Sequence, residues 1–103
     1  MAWIIVQFAK VEEFLFQLPE NARAKASSDL VMLRQYGPFL KQPFSKKITK
    51  DLFELRIKGK NSTRIFYTFS SNRIYLLHAF RKKSQKIPPK EIKVALDRMK
   101  QLI

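Results

Sequence analysis

The stretch LFELRIKGKNSTRIFYTFSSNRIYLLHAF, residues 52–80, holds three short apolar runs in close succession, Leu52 to Lys58, Thr63 to Phe69 and Arg73 to Phe80. β-branched and aromatic residues dominate them, and such side chains fit a pleated, half-buried surface. The connections, Lys58 to Ser62 with Gly59 and Asn61, and Ser70-Ser71-Asn72, have hairpin length and turn chemistry. Together they predict an antiparallel meander, and the rest of the chain is read around it.

Towards the N-terminus, Trp3, Ile4, Ile5, Val6 and Phe8 predict a mostly buried strand over Met1 to Phe8. Val11, Phe14, Leu15 and Leu18 then mark one face of a helix, with Glu12 and Glu13 in its first turn. Pro19 separates it from a second helix over Glu20 to Tyr36, striped by Ala22, Ala26, Leu30 and Leu33 and closed by Gly37-Pro38. Residues 38–50 show no clean period and predict an irregular, strongly basic connection, either solvated or in contact with phosphate. Towards the C-terminus, Pro88-Pro89 opens a helix with Ile92, Ala95, Leu96, Met99, Leu102 and Ile103 on one face. The order is β-α-α-β-β-β-α, an α+β class with one domain over residues 1–103 and no linker, repeat or low-complexity segment.

The composition is that of a folded basic protein: 103 residues, 46% hydrophobic, with 21 Lys plus Arg against 8 Asp plus Glu and a formal net charge of +13. Residues 1–40 hold four basic and four acidic residues, so 41–103 carry the whole excess. Such an asymmetry points to a polyanionic partner. The absence of cysteine excludes disulfide frameworks, thiolate zinc sites and Cys nucleophiles, and one histidine excludes a His-rich metal site. No cofactor is indicated. The opening apolar run lacks a basic flank and is far shorter than the roughly 20 residues a membrane span needs, so no membrane role is expected and the default location is the cytoplasm.

A period of two sorts the meander side chains. Glu54, Arg56 and Lys58 take one face of their strand and Phe53, Leu55 and Ile57 the other; Arg64, Phe66 and Thr68 alternate with Ile65, Tyr67 and Phe69. Arg56 and Arg64 can therefore point the same way on a non-core face. Two guanidiniums side by side repel unless an anion lies between them, either the Glu54 carboxylate or a phosphate. As the last strand exits, Arg81, Lys82, Lys83 and Lys86 place four cations within six residues. His78 is the one side chain whose ordinary pKa lies near neutrality, and it reads either as a packed structural residue or as a general acid or base. Tyr67 and Tyr75 read as core or rim aromatics, and Trp3 and the nine Phe as core mass without the stacking pattern of an RNA-binding sheet, although Phe80 could stack on a base. With two glycines in the chain, phosphate-loop, dinucleotide and nucleophile-elbow motifs are absent. An RNase using the substrate's own 2′-hydroxyl needs no such motif, because it only positions the phosphate, neutralises charge and moves protons.

Five ordered motifs, Pro43-Phe44-Ser45-Lys46-Lys47, Leu52-Phe53-Glu54-Leu55-Arg56, Arg64-Ile65-Phe66-Tyr67, Leu77-His78-Ala79-Phe80-Arg81-Lys82-Lys83 and Ile87-Pro88, resemble the phage-derived, HigB-like branch of the RelE/ParE toxin superfamily. The resemblance covers nearly the whole chain. It implies a RelE-like fold, with a small, mostly antiparallel sheet, two N-terminal helices packed on one side and a C-terminal helix. It implies the toxin of a type II toxin-antitoxin pair, a ribosome-dependent mRNA endoribonuclease that stops translation by 2′-hydroxyl attack in the A site. Its partners would be mRNA, the ribosome and a cognate antitoxin, a helix-turn-helix HigA-like protein. The alternative within the superfamily is a ParE-like inhibitor of DNA gyrase that cuts nothing.

Carried over by position, the resemblance assigns Arg64 to phosphate or transition-state stabilisation and Lys82 to the basic position after the last strand. The two strand lysines of RelE fall on Glu54 and Arg56, so one cation is kept and the other becomes a carboxylate, which is either a base or a salt-bridge partner. The late tyrosine of RelE has no counterpart between Ser84 and Pro89, which leaves His78 or Lys82 as proton donor. Lys46, Lys47, Lys58, Arg81, Lys83 and Lys86 complete the expected RNA-binding set, with no metal.

Overall fold

The meander exists and forms the middle of a five-stranded sheet. In the computed structural model, which describes residues 2–60 and 62–102, the strands are β1 (Ile4–Gln7), β2 (Ser45–Thr49), β3 (Leu52–Ile57), β4 (Thr63–Ser70) and β5 (Arg73–Arg81). The helices are α1 (Ala9–Phe16), α2 (Glu20–Tyr36) and α3 (Pro89–Lys100), with a short 3-10 turn at Gly37–Phe39. Met1, Asn61 and Ile103, placed by sequence in the first strand, the first meander turn and the last helical stripe, lie outside the described residues. The spatial order is β1-β5-β4-β3-β2, with β1 parallel to β5 and every other pairing antiparallel. No described helix is long and apolar enough to cross a membrane.

Two expectations change. The basic connection is not wholly irregular, because Ser45–Thr49 pairs with β3 as an edge strand. Its inward positions are Ser45, buried and hydrogen-bonded to the Tyr67 hydroxyl, and the half-buried Ile48. Lys46, Lys47 and Thr49 are exposed. Lysines on an edge oppose sheet-to-sheet pairing, and they also erase the apolar alternation that would announce a strand. β1 is likewise an edge, with Ile4 and Gln7 exposed and Ile5 and Val6 half-buried, so it is not the mostly buried strand its composition predicts.

The sheet carries a core on each face. α1 and α2 cover one, where Val11, Ala26 and Leu33 meet Leu55, Ile57, Ile65, Tyr67, Ile74 and Leu76. Burial pushes the Tyr67 hydroxyl above its ordinary pKa, partly offset by the Ser45 bond. α3 covers part of the other face, where Ala95, Ile92, Leu96 and Met99 pack on Leu52, Phe66, Leu77 and Phe80. Each fully buried Leu or Phe there contributes roughly 1.5–3 kcal/mol, so this half of the face is a true core.

The register slips between Phe66 and Tyr67, where Phe66 pairs with His78 and Tyr67 with Leu76. Leu77 is the extra residue of a β-bulge, and both Leu77 and His78 consequently face α3.

Candidate nucleic-acid interface

Strand pairing lines up the site residues in two rows across the α3-bearing face. Lys46, Glu54, Phe66 and His78 form one row, and Arg56, Arg64 and Phe80 the next. α3 covers the β5 end. Towards β3 and β2 lie Lys46, Glu54, Arg56 and Arg64, so the two arginines share a non-core patch as alternation predicts.

Glu54 is fully buried beneath them. Its Oε1 accepts a hydrogen bond from Arg56 Nε at 2.9 Å, while its Oε2 lies 3.7 Å from Arg64 Nε. The second distance is an ion-pair contact but too long for a hydrogen bond. Glu54 Oε2 and Arg64 Nε are accordingly buried atoms without a hydrogen-bond partner. A buried polar atom left unpaired costs about 1–3 kcal/mol, so this triad is held together but not satisfied. One carboxylate against two guanidiniums also leaves a positive excess. Burial lowers the pKa of Arg64, Glu54 opposes that shift and Arg56 adds to it. An anion arriving beside Arg64 would relieve this under-compensated charge.

Arg64 spends one Nη on its neighbour's carbonyl, Thr63 O, at 3.1 Å. It borders a cleft of about 320 Å³ lined by Ser62, Arg64, Lys82, Lys83, Ser84 and Gln85. The backbone N–H of Lys82 donates to Ser62 O at 3.0 Å, so the chain leaving β5 is tied to the chain entering β4. That bond brings Lys82 and Lys83 to the same cleft as Arg64, which lies eighteen residues earlier in the chain than Lys82.

Other expected residues lie elsewhere. β3 ends at Ile57, and Lys58 lines a separate cavity with Lys25, Asn21 and Ala22 of α2, so it does not continue the face of Glu54 and Arg56. Arg81 pairs with Thr63, which pairs with Ile57 of the helix-covered core, so Arg81 points to the opposite side from Arg64. Lys46, Lys47 and Lys86 are exposed outside the cleft. Glu54, expected as a base or a salt-bridge partner, turns its carboxylate to the guanidiniums and has no exposed surface for a substrate. Phe80 is buried, and its ring stacks on His78 with centroids 5.5 Å apart instead of offering a face to a base.

His78 is engaged by α3. Its Nε2 is 2.7 Å from Glu91 Oε1, and Arg98 donates to Leu77 O at 2.7 Å while approaching His78 Nδ1 at 3.5 Å. His78 thus sits in a polar latch between β5 and α3. Sequence reading missed Glu91 and Arg98, whose seven-residue spacing puts them on one face of α3. It also missed Ser62, Ser84 and Gln85, which join the cleft through loop geometry that no local pattern signals.

A search of the curated proteins finds no significant match. Among solved structures, the fold is similar to the E. coli toxin RelE, determined as a double arginine mutant in the free state, with a TM-score of 0.68 and 11% identity over all of both chains. It is also similar to the toxin-antitoxin complex RelBE2 from Mycobacterium tuberculosis, with a TM-score of 0.62 and 14% identity over 80% of this chain and 100% of that one. The model of the family described as "Phage derived protein Gp49-like (DUF891)" matches residues 13–100. With the RelE-like sheet, its helices on both faces and this family match across most of its length, the chain belongs to the phage-derived Gp49-like family and has the fold of the RelE-like toxins.

Proposed function

We propose that the protein is the toxin of a type II toxin-antitoxin pair, of HigB type, and acts as a ribosome-dependent mRNA endoribonuclease in the cytoplasm. The observation that carries this reading is the meeting of Arg64 with Lys82 and Lys83 in one cleft, above a buried carboxylate that holds the arginine in place. In the reaction the 2′-hydroxyl gives its proton to solvent water as its oxygen forms a bond to the adjacent phosphorus, and the bond to the 5′-oxygen breaks. The products are a 2′,3′-cyclic phosphate and a 5′-hydroxyl. Negative charge builds on the non-bridging oxygens, and cations fixed in advance stabilise it better than water can. Arg64 takes that role with Lys82, and a lysine ammonium of the cleft is the proton donor to the leaving oxygen. Glu54 is a positioning residue for Arg64 and Arg56. An mRNA held in the ribosomal A site supplies the in-line geometry, and a HigA-like antitoxin would silence the protein.

The test is inducible expression with mapping of transcript 5′ ends by primer extension. Codon-phased cuts that vanish in Arg64→Ala are expected. Growth arrest with intact mRNA and altered DNA supercoiling would overturn the nuclease reading in favour of a gyrase inhibitor.

A further inference from the structure

Phe44 stands at the open end of the arginine row. Ser45 pairs with Leu55 and Lys46 with Glu54, and the Arg56 N–H donates to Phe44 O at 2.8 Å, which extends the register by one residue and sets Phe44 opposite Arg56. Ser45 faces the helix-covered core, where it bonds Tyr67. Lys46 falls on the other side by alternation, with Glu54, Arg56 and Arg64, and Phe44, in the turn that enters β2, is tied to the Arg56 end of that row through its carbonyl. The Phe44 ring belongs to neither core and is 38% exposed. Its backbone is fixed, since the N–H groups of Phe44 and Ser45 both donate to Lys41 O, at 3.0 and 3.2 Å. A large apolar ring left 38% exposed at the edge of a basic patch contributes little to folding. From the sheet edge inward the row is an aromatic ring, one guanidinium, and a second guanidinium at the cleft.

We propose that Phe44 is the base-stacking residue of this site. It takes the base of the nucleotide flanking the phosphate held by Arg64 and Lys82, with Arg56 between ring and cleft. The inference rests on the RNA-cleaving reading above. β2 and β4 are two strand spacings apart, about 10 Å, which is the reach of a neighbouring nucleotide. Single-stranded nucleic acid is bound elsewhere by this combination, cations that follow the backbone and aromatic faces that take successive bases. The structure buries Phe80 and leaves Phe44 partly exposed at the edge position opposite Arg56.

The test is single-turnover cleavage of mRNA on programmed ribosomes by the full chain, with Phe44→Ala, Phe44→Leu and Phe44→Trp. Stacking predicts that the alanine and leucine variants need about tenfold more protein for half-maximal rate and lose any base preference next to the cut, while the tryptophan variant keeps both. The tryptophan emission should also be quenched by a single-stranded RNA whose 2′-oxygens are methylated and cannot attack. Leucine equal to wild type would mean that bulk, not the aromatic face, matters, and would overturn the proposal. So would an alanine variant that cuts normally but escapes its antitoxin, because Phe44 would then belong to a protein interface. If the wild type cuts no RNA, the nuclease reading falls separately. The quenching measurement then still decides whether Phe44 stacks.

Discussion

Two clusters on the same sheet face set a carboxylate among basic side chains, and they differ in how completely they are bonded. At the α3 end, Glu91 meets His78 at 2.7 Å and Arg98 is anchored on Leu77 O, so the strong donors and acceptors have partners. At the open end, Glu54 bonds Arg56, but its second oxygen and Arg64 Nε face each other at 3.7 Å unpaired. The first cluster closes a junction between helix and strand. The second holds two cations at a surface without neutralising them. Incomplete bonding thus separates the cluster proposed to bind from the one that closes the helix–strand junction.

The largest effect should come from removing the carboxylate of the open cluster. Glu54→Ala leaves two guanidiniums without their counter-charge, and breaking a buried pair costs roughly 3–5 kcal/mol. Because both arginines reach solvent, about 3 kcal/mol is expected, read as a fall in urea-unfolding free energy. A neutral result would mean that Glu54 is dispensable to the fold and reopens a direct catalytic role for it. Arg64→Ala should weigh the other way, with cleavage down by about 10²–10³-fold as for other lost charge-stabilising donors and a smaller loss of stability than Glu54→Ala, because Glu54 keeps Arg56.

A smaller effect is expected at the latch. His78→Ala removes a bond to a carboxylate, worth about 1.5 kcal/mol, and should loosen α3 in hydrogen exchange while leaving the cleavage rate within a few-fold of wild type. If cleavage collapses while the fold persists, His78 is a catalytic residue and the contrast between the two clusters fails. The subtlest test uses salt. Each phosphate contact on a single strand adds about 0.7 to the slope of log affinity against log salt. Lys82→Ala should lower that slope by about this amount, and Arg81→Ala, on the far side of the sheet, should leave it unchanged.

Much of this arrangement was legible in the residues. The period of two in 52–69 sets Arg56 and Arg64 on one side, and the helical stripes place α2 at its observed bounds and start α3 at the Pro88-Pro89 pair, although α3 ends at Lys100, before the last positions of its stripe. Three things were hidden for physical reasons. β2 is too short and too rich in lysine to show alternation, since its stability comes from pairing and from the Ser45–Tyr67 bond. The face of Lys58 could not be read by extending β3, because the strand stops one residue earlier. The convergence of Lys82 and Arg64 on one cleft depends on a hydrogen bond across twenty residues, from Lys82 N to Ser62 O, which closes only in the folded sheet.

The single extra residue at Leu77 also decides which chemistry is available at the end of β5. It acts as a half-period phase shift: before it, even-numbered residues such as Ile74 and Leu76 point to the α1 and α2 side, and after it, His78 and Phe80 point to the α3 side. Lys82 inherits that phase. Were the strand regular, Arg81 would take its place beside Arg64, and Lys82 would turn to the side of the two N-terminal helices. A one-residue slip in the apolar interior thus selects which cation of an otherwise uniform basic run shares the cleft of the arginine.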